Sequence, residues 1–107
     1  MKRYTAGQIL LMSVPFTSFA EGKRRPVLVV ADTGDEDIVV ARVTSQSGKS
    51  AFDVVVVDWQ QAGLLLPSVV RVHNLATLEK GLVERELGAL TADDWASIRK
   101  KVRQLLR

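Results

Sequence analysis

The chain has 107 residues and is 47% hydrophobic, which predicts one domain with a single packed core. It contains no Cys and a single His, which excludes disulfides, thiolate nucleophiles, cysteine-ligated metals and multi-histidine metal sites. The net charge of +3 is compatible with an anionic partner but does not identify one. Since no apolar run approaches the roughly 20 residues that span a bilayer, we expect a soluble, cytoplasmic protein.

Short runs rich in Val, Ile and Leu predict five β-strands over residues 8–16, 26–31, 38–44, 52–57 and 68–74, with a sixth, weaker strand within 82–87. Between the second and third strands, Asp32 and Gly34 predict the turn of an antiparallel hairpin, because Asp bonds its following backbone and Gly accepts positive φ. The pattern is typical of a mainly β (α+β) domain built as a small antiparallel barrel over residues 1–107.

The last element is predicted to be an amphipathic helix. Thr91 and Asp94 have the spacing of a capping box in which Asp replaces the usual Glu. Apolar residues then recur at helical spacing, at Trp95, Ile98, Val102 and Leu105. Basic residues are expected to face solvent at Arg99, Lys100, Arg103 and Arg107. That basic face is also compatible with contact to RNA or to anionic lipid, although the helix dipole already explains cations near the C-terminus.

Two polar groups stand at the ends of neighbouring predicted strands. Arg25 precedes Pro26 at the start of one strand, and its guanidinium presents a planar fork of donors suited to phosphate oxygens. Thr44 ends the next strand, where its hydroxyl can bond a bound backbone or base. Together they predict a site for a nucleic-acid backbone. Three further residues are weaker candidates for RNA contacts, by position alone: Arg24, Ser45 and Gln46.

Arg71 and His73 form a second local pattern. Side chains two apart on a strand point to one face, so these two are expected to be neighbours, with Val70 and Val72 facing the core. An imidazole exchanges protons near neutral pH, which suits a general base. A contact with substrate or a plain structural role is the alternative for His73.

Several segments together resemble the MazF/PemK family of toxin ribonucleases over nearly the whole chain. They are the Arg25-Pro26 entry into a valine-rich strand, the Thr44-Ser45-Gln46 exit from the next, residues 66–71 (Leu-Pro-Ser-Val-Val-Arg), and residues 88–91 (Gly-Ala-Leu-Thr). The resemblance implies an SH3-like barrel, a homodimer and an antitoxin protein as partner. It also implies cleavage of single-stranded RNA, such as messenger RNA, by attack of the ribose 2′-hydroxyl, without a metal or cofactor.

The resemblance also implies roles for individual residues. Arg25 is expected to contact the scissile phosphate, Thr44 to hold the phosphate or nucleotide at the cut, and Arg71 and His73 to act as an acid and base pair. Some family members carry Asp at the position of His73, so the histidine is a departure, and other members have neither an acid nor a base there. Two further candidate RNA contacts are Ser68, in the matched segment, and Thr17, in the loop at 17–22 that is expected to close over RNA.

Other readings stay open at this point. Trp59 and residues 64–66 are expected either to pack in the core or to form a dimer contact. Asp53 and Asp58 flank the fourth strand and are expected to be solvated, without a metal. A gyrase-inhibiting toxin resembling CcdB is one alternative function, made less favourable by the absence of a Trp near the chain end. A non-catalytic RNA-binding module on the same fold is another.

Overall fold

Six strands and one helix form the part of the chain that this computed structural model describes, namely residues 2–14, 24–46 and 50–107. The strands are β1 (Gln8–Ser13), β2 (Arg24–Ala31), β3 (Asp37–Thr44), β4 (Asp53–Val56), β5 (Ser68–Glu79) and β6 (Val83–Ala89). A 3₁₀ turn at Lys80–Leu82 joins β5 to β6, and helix α1 covers Ala92–Leu105. The predicted end of the first strand at 15–16 and the loop at 17–22 lie outside the described residues.

The strands form one antiparallel sheet with the order β4-β5-β3-β2-β1-β6. The predicted mainly β architecture with a C-terminal helix is therefore confirmed, as is the β2–β3 hairpin. Over the described residues the sheet is not closed, because β4 and β6 pair with inner strands and not with each other. The turn before Leu64 occupies the space beside β6, where a Cβ on Gly63 would overlap the carbonyl oxygen of Leu87.

Two strands extend beyond their predicted ends. β5 continues to Glu79 because its second half pairs with β3, from Ala41 opposite Leu75 to Asp37 opposite Glu79. β6 continues to Ala89, which pairs with β1. These extensions depend on partners distant in the chain, so local composition does not predict them.

Both faces of the sheet are covered by apolar side chains. One buried cluster includes Ile9, Leu28 and Val43 and packs against Ile98 of α1. The other lies on the opposite face, because neighbouring residues of a strand alternate between faces. It includes Leu10, Met12, Val27, Val29 and Ile38. The predicted burial of Val70 and Val72 is confirmed.

The N-terminus of α1 is tied to the loop that follows β4. As predicted, the Thr91 hydroxyl accepts a hydrogen bond from the Asp94 backbone N–H, at 3.3 Å. In a capping box the Asp94 side chain would bond back to the Thr91 backbone N–H. Here the buried Asp94 carboxylate instead accepts hydrogen bonds from the backbone N–H groups of Val57 (3.1 Å) and Asp58 (2.9 Å). Asp58 is half-buried, and its carboxylate accepts a hydrogen bond from Thr91 Oγ1 at 3.1 Å, so it is only partly solvated.

The four basic residues predicted to face solvent on α1 are exposed: Arg99, Lys100, Arg103 and Arg107. Within the described segments, no helix has both the length and the apolar character that crossing a bilayer requires.

Candidate active-site cleft

A cleft opens where β2 and β3 separate. Among the described residues, pairing between these strands ends at Val27 opposite Arg42. β2 continues alongside β1 as far as Arg24, whereas β3 continues alongside β5 as far as Thr44. Pro26 lies at the separation and has no N–H with which to extend the ladder to β3. The resulting cleft has a volume of about 380 Å³.

The charged lining of this cleft is entirely cationic over the residues that the structure describes. Arg25 lies on its β2 side, Arg42 on its β3 side and Arg85 on β6, and neither Asp nor Glu is among the described lining residues. Three guanidinium groups around one concave surface produce a positive potential there. The cleft therefore suits an anionic ligand with several oxygen acceptors.

Most of the polar candidates from the sequence meet in this cleft. Thr44, Ser45, Gln46 and Ser68 line it together with Arg25. The Gln46 backbone N–H donates to Thr44 Oγ1 at 3.2 Å, which fixes the turn that leaves β3. The Thr44 hydroxyl keeps its proton for a ligand, because it acts as the acceptor in that bond.

Ser68 lies at the start of β5, next to Val69, which pairs with Thr44. Its hydroxyl donates to the Leu66 carbonyl oxygen at 2.8 Å, and its side chain is buried. The bond orders the turn into β5, so Ser68 offers a ligand its oxygen lone pairs.

Apolar side chains form the remainder of the lining. Leu65 and Leu66 are 92% and 57% exposed and border the cleft, whereas Leu64 is 7% exposed. Trp59 and Leu64 pack in the core beneath α1. The two interpretations of this segment are core packing and a dimer contact. Core packing is confirmed for Trp59 and Leu64. Leu65 and Leu66 present apolar surface to a ligand in the cleft.

Sequence reasoning missed two of the three cleft arginines. Arg42 lies two residues before Thr44 on β3, and that period-2 spacing is a signal that places both on one face. Arg85 is flanked by Glu84 and Glu86, and the alternation of charge along a strand is the corresponding signal. Neither signal shows which face of the sheet lines a cleft.

Four predicted site residues are not among the described lining of the cleft. Thr17 lies outside the described residues. Arg24 places its Nε 3.3 Å from Glu84 Oε1. Arg71 opposes Arg42 in the β3–β5 pairing, and the His73 ring lies 6.3 Å from that of Phe52, between centroids.

Arg71 has a buried acidic partner. Its Nε lies 3.4 Å from Oδ1 of Asp53, whose side chain is only 6% exposed. The prediction of a solvated Asp53 is therefore wrong, because pairing of β4 with β5 places the two residues opposite each other. This ion pair holds Arg71 on β5, one strand away from Arg42, which lines the cleft on β3.

Comparison with known families identifies the group to which this fold and cleft belong. Residues 5–106 match the family described as PemK-like, MazF-like toxin of type II toxin-antitoxin system. The match spans almost the whole chain, so the protein belongs to this family. A search of curated proteins finds no match.

Solved structures confirm the fold. A Mycobacterium tuberculosis toxin, MazF-mt6, is 23% identical with a TM-score of 0.77, over 92% of this chain and 95% of that one. An endoribonuclease in complex with its cognate antitoxin, from a mycobacterial species, is 20% identical with a TM-score of 0.76, over 97% and 95%. A MazE-MazF structure from Deinococcus radiodurans is 26% identical with a TM-score of 0.73, over 94% and 92%.

Proposed function

We propose that this protein is the toxin of a type II toxin-antitoxin module and an endoribonuclease that cleaves single-stranded RNA. Family membership supports the first part. The observation that carries the second is the meeting of Arg25 and Thr44 in one cleft whose described charged residues are all arginines. A cationic, concave surface with hydroxyl donors is what a bent phosphodiester requires.

The proposed chemistry is internal transfer at phosphorus. The ribose 2′-oxygen attacks the adjacent phosphorus and loses its proton to a base, while the bond from phosphorus to the 5′-oxygen breaks. That 5′-oxygen gains a proton and leaves as a hydroxyl, and the other product ends in a 2′,3′-cyclic phosphate. Arg25 and the Thr44 hydroxyl donate hydrogen bonds to the phosphoryl oxygens, where negative charge develops in the transition state.

Arg71 and His73 are the proposed proton-transfer pair. Arg71 lies directly opposite Arg42, and side chains opposed in this way are about 5 Å apart at Cβ. Thr44 lies two residues beyond Arg42 on β3, so Arg71 is also the diagonal neighbour of Thr44, at about 7–8 Å, and a linkage held at Thr44 lies within reach of its long side chain, with His73 next along β5. In this arrangement His73 takes the 2′-proton, and Arg71 assists the departing oxygen.

The remaining polar groups are proposed to bind the nucleotides around the cut. Ser45 and Gln46 are exposed at the end of β3, where a hydroxyl and an amide can bond base edges. Ser68 offers acceptors from the neighbouring start of β5. Arg24 and Thr17 stay predicted RNA contacts at the periphery.

An antitoxin protein is the proposed regulatory partner, acting by occupation of the cleft. Complexes of similar toxins with antitoxins support this assignment. The apolar surface of Leu65 and Leu66 beside three arginines suits a peptide with alternating apolar and acidic side chains. A homodimer is proposed as the assembly that carries two such clefts.

The test is incubation of purified protein with a long unstructured RNA in EDTA. We expect discrete fragments with 5′-hydroxyl and cyclic-phosphate ends, and a loss of about 10²- to 10³-fold in rate for Arg25→Ala. Arg99→Ala removes the same charge from the exposed face of α1 and is the matched control. Intact RNA after prolonged incubation of the folded wild-type protein contradicts the proposal.

Two assays separate the alternative functions. A gyrase inhibitor resembling CcdB would trap gyrase–DNA cleavage complexes and leave RNA intact. A non-catalytic module would bind RNA and leave it uncut. A cleavage rate that depends on Arg25 supports only the proposed function, and the gyrase and RNA-binding assays separate the two alternatives from each other.

A further inference from the structure

The three charged residues of β6 have different surroundings. The Glu84 carboxylate pairs with Arg24 and accepts a hydrogen bond from Ser13 Oγ at 2.8 Å, and the Glu86 carboxylate pairs with Lys2. Arg85 lies between these two acids in the chain and lines the cleft, whereas neither acid is among its described lining residues. Strand β6 therefore contributes a cation to the cleft, while its acids are paired with cations outside the cleft.

Arg85 stands at the opposite side of the cleft from Arg25. Leu11 on β1 pairs with Pro26 on one side and with Arg85 on the other. Neighbouring strands are about 4.8 Å apart, so the backbones at Pro26 and Arg85 are separated by about 10 Å. Leu11 lies between them and, like Pro26, lines the cleft, so an apolar strip of Pro26 and Leu11 separates Arg85 from Arg25, which lines the cleft from the position before Pro26.

This order of groups matches the order of groups along RNA. A polynucleotide backbone alternates charged phosphates with sugars whose carbon atoms are apolar. A phosphate at Arg25, a ribose over Leu11 and a second phosphate at Arg85 place each unit against a group of matching chemistry. Arg25 and Arg85 then bind successive phosphates of one strand.

We propose that Arg85 binds the backbone phosphate next to the scissile one and positions the RNA across the cleft. The inference rests on the proposed function, since it requires RNA as the ligand. A phosphate contact of this kind fixes the position of the RNA along the cleft but does not distinguish between base sequences. Its contribution to affinity comes largely from counterion release and therefore depends on salt concentration.

The test is a binding titration that needs no cleavage. The probe is a short, fluorescein-labelled pool of random-sequence RNA with 2′-O-methyl riboses, which cannot form the cyclic phosphate. Fluorescence anisotropy yields Kd at several salt concentrations for wild type, Arg85→Gln and Arg85→Lys. We expect Arg85→Gln to weaken binding several-fold and to reduce the slope of log affinity against log salt by about 0.7, which is the value of one single-strand phosphate contact.

Charge-matched variants make the result specific. Arg85→Lys keeps the cation and should retain the wild-type slope, whereas Arg99→Gln on α1 should leave both affinity and slope unchanged. An unchanged slope in Arg85→Gln, or an equal loss in Arg99→Gln, overturns the inference while the proposed function stands. Failure of the folded wild-type protein to bind the pool at any salt concentration contradicts both.

Discussion

The carboxylate of Asp32 accepts a hydrogen bond from the backbone N–H of Tyr4 at 2.7 Å. It also accepts from the Gly34 backbone N–H at 2.8 Å and lies 3.1 Å from Lys80 Nζ. These contacts join the N-terminal segment, the β2–β3 turn and the end of β5 at one anionic group. The hydrogen bond from Tyr4, followed by those from Gly34 and Lys80, lowers the pKa of Asp32 from 3.8 to about 2, against the opposing effect of burial.

Acid stability is therefore predicted to depend on Asp32. A carboxyl whose pKa is lowered by folding stabilises the protein fully above its unfolded pKa of 3.8, and that stabilisation is lost as pH falls through about 2. We expect the free energy of unfolding to decline between about pH 4 and pH 2, measured by urea denaturation. Asp32→Asn should be less stable at neutral pH and show a shallower acid decline. An identical pH profile in both proteins would contradict this.

Gly63 is predicted to tolerate no side chain. Its φ is +86°, and an added Cβ would overlap the carbonyl oxygen of Leu87. We expect Gly63→Ala to lower the free energy of unfolding by roughly 3 kcal/mol or more, from backbone strain and overpacking together. Gly81→Ala is the control, since nothing lies within 4 Å of its Cβ position, and its effect should stay within about 1 kcal/mol. Equal effects of the two substitutions would refute the argument.

Asp94 is predicted to stabilise the protein well beyond a helix cap. Asp94→Ala removes the charged acceptor of the backbone N–H groups of Val57 and Asp58, and a hydrogen bond to a charged group contributes about 1.5–3 kcal/mol. Asp93→Ala removes an exposed acid from the same helical turn and should cost about 0.3–1 kcal/mol. Thermal unfolding of the two variants measures the difference. Equal melting temperatures would show that the contacts with the loop after β4 contribute nothing.

The Thr44 hydroxyl is predicted to act on the transition state. Thr44→Val keeps the shape of the side chain and removes the donor, so cleavage should slow by about 100-fold, whereas Thr44→Ser should retain most of the rate. Thr77→Val is the control, at an exposed position of β5. The measurement is the initial rate of RNA cleavage at saturating RNA. A rate for Thr44→Val near that of wild type would remove Thr44 from the mechanism.

His73 is predicted to act as the general base of cleavage. His73→Gln removes the imidazole that would take the 2′-proton, so kcat/KM should fall by about 100-fold. The measurement is the initial rate of RNA cleavage. A rate for His73→Gln near that of wild type would assign the base to another group and leave His73 as a neighbour of Phe52.

Local patterns in the sequence predicted several elements correctly. Runs of β-branched residues located the strands, Asp32 and Gly34 located the hairpin turn, and Thr91 located the start of α1. These features depend on interactions between residues that are close together in the chain. The local composition and the spacing of apolar residues therefore indicate them directly. The family resemblance added the expectation that Arg25 and Thr44 act at one site, because the motifs that contain them belong to a known fold.

What the sequence by itself determined is where most of the strands lie, where the hairpin turn falls and where the helix starts. Only the tertiary structure decided that β2 and β3 separate after Val27 and Arg42, that Arg85 enters the resulting cleft, and that the Asp94 carboxylate bonds the loop after β4. The physical reason is that register and strand separation depend on pairings between distant segments. Such pairings decide which of two faces each side chain occupies, and periodicity alone leaves that choice open.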